Sequence, residues 1–300
     1  MIRLLLALLL LPLAACATAP GAVDNPKRIA LSFDDVPRSP GAFFSPEERA
    51  RRILEALRRS GVTQAAFFVN PGNLEQPFGA GGEERIAAYV AAGHVIANHS
   101  YSHGNILQMT PDAYVADLDR AQAWLKGRLG LRRWFRYPFL QEGDADPAKA
   151  AAVRQALAQR GLMNGYATAD SVDWLMENLT LEAKAKGETM DMDALRDFYV
   201  RTIVARADAA DSAAVAGLGR SPAHVILMHE TDLAALFLAD AVRALRADGW
   251  EIIPVDRAYA DPISRTGGLP PQARATNPAP SMDQIARDFA GQVLHRTQSQ

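Results

Sequence analysis

The 300-residue sequence lacks features that would each point to a particular class of protein. It has a single cysteine, so no disulfide can form within the chain. Its net charge is −2 and no dense Lys/Arg cluster is visible on a predicted helix face, which gives no reason to expect a nucleic-acid partner. No internal repeat is visible either. With 49% apolar and 22% charged residues, the chain is globular and can form one large domain or two small ones.

The N-terminus carries a short apolar run with the features of an export signal. Residues 4–13 are apolar, follow one Arg and precede small residues, and the run is too short to span a bilayer comfortably. Cys16 follows Leu-Ala-Ala, and LAAC resembles the bacterial lipoprotein box, in which cleavage precedes a cysteine that is then acylated. The alternative is ordinary signal cleavage beside an incidental cysteine. We predict a signal peptide over residues 1–15 and a lipidated tether over residues 16–28.

The residue after the cysteine indicates where such a lipoprotein would reside. Ala17, in place of Asp, resembles lipoproteins that are sorted to an outer membrane. We therefore expect a protein of the bacterial cell envelope, lipid-anchored in the outer membrane and facing the periplasm.

After the tether, predicted strands alternate along the sequence with predicted helices. Short connections between such units are typical of a parallel sheet, either open or closed into a barrel. A helical stretch is predicted around residues 190–207, before the strand that ends HVILMHE. From residue 261 to residue 300 the chain is rich in Pro and polar residues, with one weak amphipathic segment, and we predict a C-terminal tail there.

Two adjacent acids end the first predicted strand. The apolar run over residues 29–33 stops at Asp34 and Asp35. Like charges side by side repel, so a solvated turn is one interpretation and a bound positive ion is another. A later strand leads into His99 and His103, which share a face if the chain makes one helical turn there. Because catalytic groups collect at the carboxyl ends of parallel strands, a carboxylate and two imidazoles predict a metal site, although such a histidine pair can also be structural.

Five segments occur in the order SFDDVP, NHSYSH, FRYPF, DSVDW and ILMHE, and together they resemble the motifs of the polysaccharide deacetylases, the NodB-homology domain of carbohydrate esterase family four. The resemblance covers roughly residues 29–259, and we expect the deacetylase domain at residues 29–260. It implies an α/β fold, a distorted (β/α) barrel that often has seven strands. Val36 replaces the glycine that usually follows the acid pair. A gap of 56 positions between Asp173 and His229 implies a helical insertion, around residues 175–220, before the last motif.

The resemblance also implies roles for the site residues. Asp34 matches the general base, and Asp35, His99 and His103 match the ligands of a divalent metal, zinc above all, with cobalt or another ion as alternatives. Arg136 matches the arginine that pairs with the base, with a generic salt bridge as the alternative.

The remaining matched residues belong to proton donation and to the substrate pocket. His229 matches the general acid, and Asp173 matches the acid that orients it. Tyr137 matches the residue whose backbone N–H stabilises the oxyanion. Trp174 and Leu227 match the apolar walls of an acetate-sized pocket, although both could equally belong to the core.

The sequence therefore predicts a metal-dependent hydrolase that removes N- or O-linked acetyl groups from a carbohydrate. Its partners would be an acetylated glycan and, through Cys16, a membrane. Two alternatives remain open: a hydrolase of the same fold that acts on non-glycan esters or C–N bonds, and a non-catalytic glycan-binding lipoprotein. The identity of the glycan, the metal and the oligomeric state are not determined by the sequence.

Overall fold

The computed structural model describes residues 26–143, 145–270, 273 and 279–294. The predicted signal peptide, Cys16 and most of the predicted tether lie outside these residues. Among the described residues, no helix combines the length and apolar character needed to cross a bilayer.

All strand pairings of the central sheet are parallel. The strands are β1 (Arg28–Val36), β2 (Ala66–Val69), β3 (Val95–Asn98), β4 (Leu131–Phe135), β5 (Met163–Asn164), β6 (Ala169–Asp170), β7 (Ala223–His229) and β8 (Glu251–Ile252). Seven of them form one curved path in the order β5-β4-β3-β2-β1-β7-β6, and β8 pairs with the first two residues of β1. The path is not closed by strand pairing between β5 and β6. This arrangement confirms the predicted distorted (β/α) barrel.

Helices follow most of these strands and cover the sheet. Helix α1 illustrates how the sequence starts them, since Ser45 accepts a hydrogen bond from the Glu48 amide at 3.3 Å and a proline occupies the first turn. The helices are α1 (Pro46–Arg59), α2 (Gly82–Ala91), α3 (Pro111–Leu125), α4 (Pro147–Gln159), α5 (Asp173–Ala185), α6 (Met192–Leu218), α7 (Asp232–Ala247), α8 (Val255–Ala258) and α9 (Met282–Gln292).

Strand β1 lies at the centre of the sheet, between β2 and β7. Its apolar residues are buried, and Phe33 stacks on Phe67 of β2 with 5.0 Å between ring centroids. The register between β1 and β7 places Asp34 directly opposite His229. Two of the five sequence motifs thus meet at the carboxyl end of the sheet.

Two helices, α5 and α6, lie between Asp173 and β7, which confirms the helical insertion expected around residues 175–220 and extends the stretch predicted around residues 190–207. Helix α9, inside the segment where a tail was predicted, packs against this pair. Its residues Ile285 and Phe289 are buried, and the Phe289 ring lies 6.1 Å from Phe198 of α6. The apolar face that makes α9 amphipathic therefore contributes to the main core.

Candidate active site

The two acids at the end of β1 differ in environment. Asp34 is buried with 2% of its side chain exposed, whereas Asp35 is 20% exposed. Asp35 adopts a φ of 63°, in the left-handed region, and an oxygen of each acid lies 3.6 Å from His99 Nε2. Val36 is buried and pairs with Val69 of β2. Because the left-handed residue is Asp35, position 36 does not require the glycine that the related motifs carry.

The two histidines are brought together by a loop and not by a helical turn. Ser100 and His103 have φ values of 66° and 57°, and hydrogen bonds from neighbouring segments fix this backbone. The Asn70 amide donates to the carbonyl oxygens of His99 and Ser100, the latter at 3.1 Å. The Asp117 carboxylate accepts a hydrogen bond from the Tyr101 backbone N–H at 2.9 Å. The spacing of two histidines in the sequence cannot reveal these hydrogen bonds, because their side chains belong to other segments of the chain.

Asp35, His99 and His103 form a cluster whose ligand atoms all lie within 4.8 Å of one another. Asp35 Oδ1 lies 3.1 Å from His103 Nε2 and 3.6 Å from His99 Nε2. It is buried and makes no well-directed hydrogen bond among the described residues. Burial disfavours its ionisation, but the imidazoles of His103 and His99 outweigh this and hold the pKa of the Asp35 carboxyl well below its ordinary value.

The orientation of His99 also fits a metal site. Its Nδ1 lies 2.9 Å from the carbonyl oxygen of Arg136, so Nδ1 carries the proton and Nε2 is left as an acceptor. One carboxylate and two imidazoles are a donor set that zinc takes in catalytic sites, with positions left for other ligands. The residues present therefore fit the predicted divalent metal.

Asp34 is paired with Arg136, as the sequence motif predicts. Arg136 Nη1 donates to Asp34 Oδ1 at 2.7 Å, and both side chains are buried. Asp34 Oδ2 lies 3.6 Å from His99 Nε2. The acid thus stands next to the candidate metal cluster with one oxygen bound to the guanidinium and the other facing the cluster.

Arg136 also spans the opening of the sheet between β5 and β6. Its Nε donates to the Gly165 carbonyl at 2.6 Å, and its Nη2 donates to the Tyr166 carbonyl at 3.2 Å and the Tyr259 hydroxyl at 3.0 Å. Nη1 additionally donates to Ser32 of β1 at 2.8 Å. One side chain therefore joins the central strand to the segment between β5 and β6, the two strands at the edges of the sheet.

His229 and Asp173 form the second charged pair of the site. His229 Nδ1 lies 2.8 Å from Asp173 Oδ1, and Asp173 Oδ2 accepts the His229 backbone N–H at 2.8 Å. Burial disfavours the charged imidazole, but Asp173 and the nearby Asp35 outweigh this and raise the pKa of His229 above its ordinary value. His229 Nε2 faces the candidate metal cluster, 3.9 Å from Asp35 Oδ2.

These groups line one cavity of about 400 Å³, the active-site cavity. Trp174 and Leu227 lie in its wall, where the sequence resemblance places them. Tyr137 does not line it, and its side chain is buried. The Tyr137 backbone N–H finds no hydrogen-bond acceptor among the described residues. The cavity is lined by Asp34, Asp35, Arg38, His99, His103, Phe139, Leu140, Asp170, Trp174, Leu227, His229 and Met282.

Several of these lining residues were not predicted. Phe139 and Leu140 follow the FRYPF motif with φ values of 60° and 53°, and both are exposed. The Phe139 ring lies 4.5 Å from the His103 ring. Met282 reaches the cavity from the start of α9. Phe139 belongs to a quoted motif and could have been singled out, whereas nothing in the sequence pattern marks Leu140 or Met282.

Arg38 is a further residue that the sequence analysis missed, and its side chain pairs with Asp35. Buried charged side chains form hydrogen bonds to the backbone of the loop that contains Arg38. Arg49 donates to the Arg38 carbonyl at 2.6 Å, and Glu230 accepts the Arg38 backbone N–H at 2.9 Å. Asp232 accepts a further amide of this loop, that of Phe43, at 2.6 Å. Residues that follow His229 in the chain thus fix the backbone that follows Asp35.

Several known proteins are similar to this chain. The family model described as polysaccharide deacetylase matches residues 21–162, which include the acid pair, both histidines and Arg136. Asp173 and His229 lie outside the matched residues. A curated relative, the peptidoglycan-N-acetylglucosamine deacetylase of Bacillus cereus, is 30% identical over 151 residues. That match covers 50% of this chain and 47% of the relative, so the chain spans about half of that protein.

Solved structures share the fold. A family 4 carbohydrate esterase from Streptomyces lividans, determined in complex with acetate, is 23% identical with a TM-score of 0.50, covering 76% of this chain and 92% of that one. A family 4 pseudoenzyme from Bacillus anthracis is 18% identical with a TM-score of 0.54, covering 78% of this chain and 66% of that one. The family model and the curated relative make about half of this chain similar to polysaccharide deacetylases, and the solved structures show that the fold is shared.

Proposed function

We propose that the protein is a metal-dependent hydrolase that removes acetyl groups from a carbohydrate. The observation that carries the proposal is the convergence of three arrangements on one cavity. These are the Asp35 cluster with its two histidines, the ion pair of Asp34 with Arg136, and the pair of His229 with Asp173. A general base, a general acid and a candidate metal site within one pocket are what acyl-transfer hydrolysis requires.

Asp35, His99 and His103 would hold the divalent ion, with zinc favoured by the donor set and cobalt or another ion as alternatives. When bound, such an ion supplies Lewis-acid polarisation of the acetyl carbonyl and lowers the pKa of water. The Arg136 carbonyl keeps His99 turned with Nε2 toward this position.

Asp34 acts as the general base in this proposal. Its Oδ1 is bound to Arg136, so the free Oδ2 is the oxygen that takes the proton from the attacking water. The hydrogen bond from Arg136 also holds the carboxyl group of Asp34 in this orientation. The backbone N–H of Tyr137 would donate to the oxyanion that develops on the acetyl oxygen.

His229 acts as the general acid. Asp173 binds Nδ1–H, which leaves Nε2 facing the cavity, and the raised pKa of His229 favours the charged form that can donate. The proton passes from Nε2 to the departing sugar nitrogen or oxygen. Trp174 and Leu227 provide the apolar surface that packs against the acetyl methyl group and excludes water.

The substrate we propose is an acetylated glycan of the cell envelope. The name of the Bacillus cereus relative states N-acetylglucosamine in peptidoglycan, which makes this polymer the first candidate here. A lipid anchor at Cys16 in the outer membrane, facing the periplasm, would place the domain beside that polymer. The complete set of base, ligands and acid favours catalysis over binding alone.

The test is acetate release by the full chain loaded with zinc or cobalt, on a panel of N- and O-acetylated saccharides and on small non-glycan acetyl esters. Asp34→Asn keeps the shape of the side chain but cannot take a proton, so we expect metal content to stay while turnover falls by about 10²–10⁴-fold. Asp35→Asn should instead weaken metal binding first.

The opposite pattern, with metal lost in Asp34→Asn and kept in Asp35→Asn, would reverse the assignment within the pair. Activity on the small esters alone, with none on any saccharide, would favour the non-glycan alternative. Full metal content in a His99→Ala/His103→Ala double variant would show that the histidine pair is structural.

A further inference from the structure

A second, smaller cavity adjoins the active-site cavity. Its volume is about 180 Å³, and it shares Leu140 and Asp170 with the larger one. This is small beside the ~300–1,000 Å³ of ordinary ligand pockets, so it suits one sugar ring rather than a longer stretch of chain. We call it the side cavity. Besides the shared residues, its polar side chains include Glu142, Asn164 and Thr168.

Three separate segments build the wall of the side cavity, and Asn164 ties them together. Its Nδ2 donates to Glu142 Oε1 at 2.9 Å and to the Gly267 carbonyl at 2.9 Å. Gly268 has a φ of 122°, and a Cβ there would lie 3.0 Å from Tyr166. The turn at Gly267 and Gly268 thus packs directly on Tyr166, and only glycine fits this close approach.

The turn that completes the wall is itself anchored to the barrel. Asp261 forms an ion pair with Arg220 at 2.7 Å and accepts the Ala223 backbone N–H at 2.9 Å. Residues 267–269 lie well beyond the region that matches the family model. This side of the cavity is therefore built by a part of the chain that the family match does not cover.

The charges of the side cavity indicate what it can bind. Glu142 and Asp170 supply carboxyl groups, and Asn164 and Thr168 supply neutral polar groups. The one cationic residue among its described lining residues is Arg136, which is buried and paired with Asp34. Acidic acceptors without an accessible cation favour hydroxyl or ammonium donors and disfavour a carboxylate.

We propose that the side cavity is a subsite for the sugar unit next to the one that is deacetylated, and that it selects a neutral or amino sugar over an acidic one. The proposal rests on the proposed function, because it assumes a glycan in the active-site cavity. Glu142 and Asn164 are the specificity-determining residues, and Asp170 lies at the junction of the two cavities.

The experiment uses the metal-loaded full chain and N-acetylglucosamine oligomers of one to three units. In the wild type, kcat/KM should rise with the number of sugar units in the oligomer. Glu142→Gln and Asn164→Ala should lower the ratio of trimer to monomer kcat/KM by roughly 2- to 10-fold for each hydrogen bond lost. Glu84→Gln, an exposed acid on α2, is the matched control and should keep the wild-type ratio. Circular dichroism and metal content report whether each variant is folded.

A second series tests the charge selectivity. Hyaluronan oligosaccharides place a glucuronic acid beside N-acetylglucosamine, so the wild type should prefer the chitin trimer, and Glu142→Gln should narrow that preference. Equal ratios of trimer to monomer kcat/KM in the wild type and both variants, or a wild-type preference for the acidic neighbour, would overturn the subsite.

If the wild type releases no acetate at all, the proposed function fails. Calorimetric binding of trimer against monomer then decides the subsite alone, with weaker trimer binding by Glu142→Gln supporting it and unchanged binding overturning it.

Discussion

The buried carboxyl group of Glu177 on α5 should make the stability of the protein depend on pH. Its side chain is 2% exposed and accepts the backbone N–H groups of Asp232 and Leu233, each at 3.2 Å. Burial, with the neighbouring Asp232 carboxylate, raises the pKa of Glu177 from 4.5 to about 7. Between these two values the folded protein holds a proton that the unfolded chain has released.

This pKa shift sets both the sign and the size of the effect. The contribution of Glu177 to the free energy of unfolding is fully present below pH 4.5 and is lost as the pH rises through about 7. A shift of about 2.5 pKa units corresponds to about 3 kcal/mol. Glu177→Gln is neutral at every pH, so its stability relative to the wild type should increase by about 3 kcal/mol between pH 4.5 and pH 8.

Urea unfolding of both proteins at pH 4.5, 6 and 8 measures this difference directly. Other acids titrate in the same range. The quantity to follow is therefore the free energy of unfolding of the wild type minus that of the variant at each pH. Glu84→Gln, at an exposed position of α2, is the matched control for the removal of one carboxylate. A difference between wild type and Glu177→Gln that stays constant from pH 4.5 to pH 8 would refute the reasoning.

Three further predictions concern the acid, the anchor and the C-terminal helix. His229→Ala should keep its metal and should lose less activity on substrates with a good leaving group than on amides. A comparison of aryl acetates with N-acetyl sugars measures this difference, and an equal loss on both would argue against a role for His229 as the general acid. If Cys16 is acylated, the wild type should partition into detergent and Cys16→Ser should not, with mass spectrometry of the N-terminus as the check. Phe289→Ala should lower the free energy of unfolding by about 3–5 kcal/mol, because Phe289 is buried against Phe198 of α6; a change below 1 kcal/mol would show that α9 is dispensable.

The parts of the site that could be predicted are those encoded by local pattern. An apolar run that ends in acids identifies β1 and its carboxyl end, and the motif order indicates which strand ends approach it. Arg136, His229 and Asp173 therefore lie where the motif resemblance implies, in the pairs that it implies.

The parts that could not be predicted depend on contacts between distant segments. The loop of His99 and His103 owes its shape to Asn70 and Asp117, which belong to other elements. The side chain of Arg38 reaches Asp35 because buried charges far along the chain hold its backbone. A weak amphipathic segment such as α9 packs only because α6 offers it a matching apolar face, and no local pattern reveals that partner.

Arg136 contributes both to the active site and to the packing between β5 and β6. The same guanidinium that binds Asp34 also joins the central strand to the carbonyl groups between β5 and β6. A substitution that removes the Arg136 side chain would also leave the buried Gly165 carbonyl without its donor, at about 1–3 kcal/mol, whereas the Tyr166 carbonyl would keep the Tyr259 hydroxyl as a donor at 2.8 Å. The surroundings of Asp34 and the packing of the open edge of the barrel therefore depend on the same side chain, and a substitution of Arg136 changes both at once.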